Sequence, residues 1–245
     1  MFMPLQGFEG EAQQEDSIRV VPVMFTKSYV LFPGSTVSIV TSQPSDIAMA
    51  EQALERGEQV GILLKKMLPG LERNLEEGWY EVGCLGMVSQ VKLVEEAKYA
   101  ITFVGTQRFR VQREVADYPF PIFVVQVLND LQAAGYVPRM RKLRTLMEEL
   151  FLDIYRLTED QESRVEWILE LLDTTFELDE EDFMNVVCSS MPISTLEKQM
   201  LLEYSIALER FEKAAEILEF EHTRRLLGRA ALLGGGLQEH GLLMG

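Results

Sequence analysis

Between Gln132 and Pro138 the apolar residues of this chain change their period. Before that stretch they come in short runs or alternate with polar residues, the pattern of strands that bury one or both faces. After it they recur as Leu143, Leu146, Met147, Leu150, Phe151, Ile154 and Tyr155. Steps of three and four residues place these on one stripe of a helix. A fold that accepts this switch needs two kinds of core. The first part must be a sheet that is covered or closes on itself, and the second must be helices packed on one another. With 47% hydrophobic residues the chain can fill both.

In the first part, Val20–Phe25 and Val30–Phe32 read as two short strands, with Pro33-Gly34 as a turn after them. Thr36–Val40 alternates and reads as a third. Ser42 to Asp46, with Pro44, signals a helix start; Ile47, Ala50, Ala53 and Leu54 follow at helical spacing, and Gly57 supplies the stop. Gln59–Leu64 is a continuous apolar run, expected to be a buried strand, and Lys65 to Gly78 a polar loop. Tyr80–Val94 is long and alternating, and its glycines are expected to mark bends or bulges. Tyr99–Val104 returns as a hairpin arm. Gly105 is expected to break it, with Gln107–Val111 and Pro119–Val127 as further strands. About seven short strands and one short helix over residues 18–130 predict a closed or nearly closed β-barrel.

Residues 138–227 predict a helical bundle. Its first helix carries the stripe beginning at Leu143, and its second carries Val165, Ile168, Leu169 and Leu172. Asp179 caps a third. Ser194 and Glu197 have capping-box spacing for a fourth, and Ser205 is expected to cap a fifth that ends near Leu227. Residues 1–17 read as a flexible leader and residues 228–245, with Gly234-Gly235-Gly236, as a flexible tail. The fold class is thus α+β, a barrel followed by a bundle.

The formal net charge of −16 argues against a nucleic-acid partner, because nonspecific affinity for phosphates comes from protein cations. No apolar run of about 18 residues occurs, so no membrane span is expected. The first residues lack the basic-then-apolar pattern of a secretory signal. Cys84 and Cys188 stand alone and read as reduced thiols of a cytoplasmic protein. No phosphate-binding loop is present. His222 and His240 fit solvated positions, and these histidines and cysteines lack metal-ligand spacing. Asp179-Glu180-Glu181-Asp182 reads as a helix start, where carboxylates favour the dipole. Arg108, Arg110 and Arg113 form the densest basic group. They read as a solvated outer face of a strand, with an RNA contact as the sharper alternative. Trp79-Tyr80 and Phe120 read as core or strand-edge packing, with an apolar recognition groove as the alternative. No catalytic, cofactor-binding or metal-binding residue is singled out, and no cofactor is expected.

Several of these stretches, taken in order, resemble the N-terminal domain of Lon proteases. Pro22-Val23 through Phe32-Pro33-Gly34 is similar to its opening, although Lys27-Ser28-Tyr29 departs from the acidic or apolar residues common there. Tyr80-Glu81-Val82-Gly83-Cys84-Leu85-Gly86 resembles its Tyr-x-Val-Gly step, and Gly105 to Val111 its Gly-x-x-Arg-x-x-Val pattern. Met191-Pro192-Ile193-Ser194-Thr195-Leu196-Glu197-Lys198-Gln199-Met200-Leu201-Leu202-Glu203 is similar to its Pro-Leu-Ser and Glu-Lys-Gln-x-Leu-Leu-Glu motif. The resemblance spans roughly residues 18–226. It implies a PUA-like β-pseudobarrel followed by a helical bundle, in a bacterial, cytoplasmic, stand-alone protein without ATPase or protease modules. It implies a non-enzymatic module that binds unfolded or partly folded proteins and peptides, with Lon itself as a further partner and no membrane or nucleic-acid partner. An RNA-binding PUA-like protein and a small-molecule-binding barrel are the alternatives. The matching positions are mostly apolar, Gly or Pro, so no binding residue is carried over.

Overall fold

The structure is a computed structural model and describes residues 17–66, 78–129, 136–157, 170–171, 175 and 177–235. The expected leader up to residue 16, the second bundle helix apart from Glu170 and Leu171, and the chain after Gly235 lie outside the described residues. The chain divides into two compact units. One is Met1–Asp130 with Ile193–Glu203; the other is Leu131–Pro192 with Tyr204–Gly245.

The first unit is a six-stranded sheet. Its strands are β1 (Ile18–Thr26), β2 (Thr36–Thr41), β3 (Gln59–Leu64), β4 (Val82–Glu95), β5 (Lys98–Ala116) and β6 (Ile122–Val127), with helix α1 (Pro44–Arg56) between β2 and β3. The order is β2-β5-β4-β3-β1-β6, and β5 pairs again with β6. That second pairing closes β5, β4, β3, β1 and β6 into a barrel, as the run of short strands predicted. Only β1 and β3 run parallel. The α1 helix starts at Pro44 and stops at Gly57, which takes the left-handed conformation (φ 65) that glycine tolerates.

Two runs differ from the sequence reading. Val30–Phe32 is not a strand: Leu31 and Phe32 are buried, but their backbone belongs to the loop between β1 and β2. Gly105 does not break β5, which runs through it for 19 residues. Instead Gly105 lets that loop approach, since a Cβ there would lie 2.0 Å from the carbonyl oxygen of Phe32. The Gly34 N–H donates to Gly105 O (3.0 Å) and the Gly105 N–H donates to Ser35 O (2.8 Å). The β4–β5 register shifts beside this point, between Leu85 and Gly86.

The sheet has two cores. Val21, Val23, Leu63, Leu85, Phe109, Phe123, Val125 and Val127 form one, with Phe25, Trp79 and Val111 packed on it. Met24, Leu31, Met49, Ala53, Ile62, Cys84, Val88, Ile101, Phe103 and Phe120 belong to the other, which joins α1 to the sheet. Alternation along β1 sends Val21 and Val23 to one core and Met24 to the other.

The second unit is helical: α2 (Val137–Arg156), α3 (Glu180–Ser190) and α5 (Ala207–Gly235). Met147, Phe151 and Ile154 of α2, Phe183, Met184 and Val187 of α3, and Phe211, Ala214 and Leu218 of α5 are buried. Phe183 and Phe211 stack at 6.4 Å. The Asp179 carboxylate caps α3, accepting from the N–H groups of Glu181 and Asp182. Three expectations are corrected here. The fourth helix, α4 (Thr195–Glu203), belongs with the sheet and not with the bundle. The α5 helix starts at Ala207, beyond Ser205, with Arg210 N–H bonded to Ile206 O. It also runs to Gly235, so residues 228–235 are helix rather than tail. A single Gly228 costs about 1 kcal/mol against alanine, which the following Arg229-Ala230-Ala231-Leu232-Leu233, all good helix formers, can carry.

Candidate functional site

The densest basic group does not form a patch. Arg108 and Arg110 share one face of β5, opposite Cys84 and Val82 of β4, as alternation requires. Arg110 and Arg113 are exposed, but Arg108 is only 3% exposed. Its Nη1 donates to the carbonyl of Leu202 at 2.8 Å, in the last turn of α4. Those carbonyls lack helical partners, and a cation there is favoured. Gln199, buried on the same helix, donates Nε2 to Val82 O at 2.9 Å. Ser194 and Glu197 form the expected capping box: Ser194 N–H donates to Glu197 Oε2 (2.8 Å), and Glu197 N–H donates to Ser194 Oγ (3.2 Å). So α4 is fixed at its start by its own cap and at its end by the barrel. The solvated-face reading is correct for Arg110 and Arg113 and wrong for Arg108.

The aromatic residues also separate. Trp79 lies 5.5 Å from Phe25 and 5.4 Å from Phe123, ring to ring, and Lys65 Nζ sits 5.5 Å over Phe25. Phe120 belongs to the other core. Trp79 and Phe120 therefore line no common groove; packing explains both. Between the strands, the side chains of Val23, Leu63, Leu85, Phe109 and Phe123 pack together as core.

Cys84 and Cys188 are buried thiols that are not joined in a disulfide. Burial pushes the Cys84 thiol up from 9.0 to about 12. The unfolded chain thus gives up this proton first. The thiol's contribution to stability is whole below pH 9.0 and is lost as the pH rises toward 12. Between about pH 8 and pH 10, urea denaturation is expected to show wild type losing more stability than Cys84→Ala, whose unfolded state has one proton fewer to release. Equal losses would contradict the placement of Cys84. His222 is half-buried on α5, and His240 lies outside the described residues. Among the described residues no group of three or more His, Cys, Asp or Glu side chains could hold a metal ion, and no helix is long and apolar enough to cross a membrane.

One element stands at the edge of the sheet. Among the described residues, the β2 strand has a hydrogen-bonded neighbour on one side only. Its six residues, Thr-Val-Ser-Ile-Val-Thr, pair with β5 from Thr36↔Val104 to Thr41↔Tyr99. Ile39 faces the core, while Thr36, Ser38 and Val40 are exposed. Edge strands are commonly protected by a charge, a proline or a bulge. This one has no charge, no proline and an unbroken register. The alternation of β2 is legible in the sequence, but its place at the edge of the described sheet is not.

Over residues 20–219 the sequence matches the family described as the ATP-dependent protease La (LON) substrate-binding domain. The chain belongs to the Lon substrate-binding domain family. It is 20% identical to a Lon protease of Cytophaga hutchinsonii, over 82% of this chain and 24% of that protein. It is 24% identical to the peroxisomal Lon protease homolog 2 of Danio rerio, over 85% of this chain and 25% of that one. It thus spans about a quarter of the length of these curated relatives. The N-terminal domain of Mycobacterium avium complex Lon protease superposes with a TM-score of 0.62 at 20% identity, covering 84% of this chain and 98% of that one. The Lon N-terminal domain protein from Xanthomonas campestris gives 0.51 at 16% identity, covering 80% of this chain and 96% of that one. At these identities the structures speak for the fold. Within it the Lon-like motifs meet in space: Val82, Arg108, Gln199 and Leu202 hold α4 to the barrel, and the Phe32-Pro33-Gly34 loop closes on Gly105.

Proposed function

We propose that this chain is a non-enzymatic recognition module that takes exposed, extended segments of partly unfolded polypeptides as an added strand along β2. The family is one of substrate-binding domains, and the open, uncharged edge of β2 is the observation that carries the reading. Added-strand binding draws affinity from main-chain hydrogen bonds, so it accepts many sequences. Selection falls on alternate side chains, and here the exposed Val40 favours apolar residues on that face. The separation of Arg108 from Arg110 and Arg113 removes the motive for an RNA partner. Two buried thiols that are not joined in a disulfide fit a cytoplasmic setting.

The test is binding of a reduced, carboxymethylated polypeptide that cannot fold, read by fluorescence anisotropy. Ser38→Lys combined with Val40→Lys places two charges on the exposed face of the edge. Binding should weaken about tenfold or more, while the melting temperature stays near that of wild type. Unchanged affinity in the double variant, or no binding by wild type, would overturn the reading.

A further inference from the structure

Two features of the helical unit complement each other. From His222 to Gly235 the chain has no acidic residue and carries Arg224, Arg225 and Arg229, in a protein whose net charge is −16. Apolar side chains stand out beside them: Phe220 is 66% exposed, Leu226 45% and Leu227 67%. Phe220 and Leu227 are two turns apart and lie on one face, with Arg224 between them. Arg224 and Arg225 share Glu221 at 2.6 and 3.7 Å, whereas Arg229 lies two turns beyond that carboxylate, exposed. An apolar, cationic helix end of this kind leaves uncovered the surface that helices ordinarily bury.

At the opposite end of the same helix lies a cleft of about 340 Å³. Met140, Leu178 and Ala207 give it apolar walls, and Glu177, Asp179 and Glu181 give it an acidic rim. Arg141 and Glu180, also in the lining, pair with each other, and Glu180 reaches Arg144 as well, so Arg141 is the one cation among four lining carboxylates. Asp179 accepts two backbone N–H bonds as the cap of α3. The cleft suits an apolar side chain followed by a cation, which is the order Leu226-Leu227-Gly228-Arg229 presents.

A copy cannot fill its own cleft. Ala207 begins α5 and Leu227 lies twenty residues on, which at 1.5 Å per residue is about 30 Å along a straight helix. We propose that copies of this chain associate head to tail, the cationic end of α5 of one copy seated in the acidic, apolar cleft at the start of α5 of the next. Such a contact uses two different surfaces, so it generates an open chain or a ring and not an isologous dimer. It is weakened by salt, because its charges are exposed.

The inference is independent of the polypeptide-binding reading, and its test uses the full chain alone. Sedimentation velocity across a concentration series should show self-association that weakens as salt is raised. Arg229→Glu alone and Glu177→Arg alone should each weaken it about tenfold. An equimolar mixture of the two variants should regain association, because each variant's altered surface then meets its complement on the other. Both substitutions lie on exposed positions and leave the fold intact. A protein that stays monomeric at every concentration would overturn the proposal. So would association that neither variant changes, or variants that fail to rescue each other when mixed.

Discussion

Gly105→Ala is expected to destabilise the sheet unit by more than about 3 kcal/mol, above the usual range for overpacking, because the clash is with backbone. The new methyl would sit 2.0 Å from the carbonyl oxygen of Phe32 and 3.2 Å from Leu31 Cγ. That oxygen is held in place: it accepts from Ser35 Oγ (2.8 Å) and from the Ser35 N–H (3.1 Å), while Phe32 is itself fully buried. Far-UV circular dichroism during urea unfolding gives the measurement. Gly57→Ala is the control. Its Cβ would meet nothing within 4 Å, and only the left-handed φ of 65 opposes it, so about 1 kcal/mol is expected. If the two variants lose the same small amount, the loop at residues 32–35 does not seat on β5.

Arg210→Ala should cost the helical unit about 3–5 kcal/mol, from the lost hydrogen bonds and the cavity together. Arg210 is the largest fully buried side chain among the described residues, and burial pulls its guanidinium below the ordinary arginine range. Its Nη1 donates to Asn185 Oδ1 at 3.1 Å and its Nη2 to Tyr204 O at 2.9 Å. One side chain thus ties α5 to α3 and to the segment that leads into α5. Arg210→Lys is expected to recover less than half of the loss, because an ammonium cannot reproduce the planar fork. Urea denaturation of the three proteins measures both differences. A loss below about 1 kcal/mol for Arg210→Ala would mean that the guanidinium is incidental to the packing.

Where burial is decided locally, the sequence was readable. A short apolar run identified β1, alternation identified β2 and β4, and the i, i+3, i+4 stripe identified α2 with Met147, Phe151 and Ile154 on its inner face. The capping residues Asp179 and Ser194 marked their helix starts correctly. What failed depended on partners distant in sequence. Nothing near Arg108 distinguishes a solvated arginine from one covered by a helix; its acceptor, Leu202, lies 94 residues away. Gly105 fits both a strand break and a close approach, because each uses the missing Cβ, and only the loop at Phe32 decides between them. Val30–Phe32 looked like a strand because its buried side chains are apolar, although its backbone makes no ladder. The open edge of β2 is a fact about topology, and no residue in the strand records it.

The placement of α4 also bears on how the chain is made. The sheet unit holds Met1–Asp130 and then Ile193–Glu203, with Leu131–Pro192 of the other unit made in between. Every strand has been synthesised once residue 127 has left the ribosome, yet the helix that accepts Arg108 and anchors Val82 has not. At roughly 5–20 residues per second, that helix follows the last strand by roughly 4–15 seconds. During that interval the guanidinium of Arg108 and the face of β4 around Val82 are open to whatever else is nearby. The order of synthesis thus leaves the barrel's last cover to a segment made after much of the other unit, and the emergence of α4 is the step that completes it.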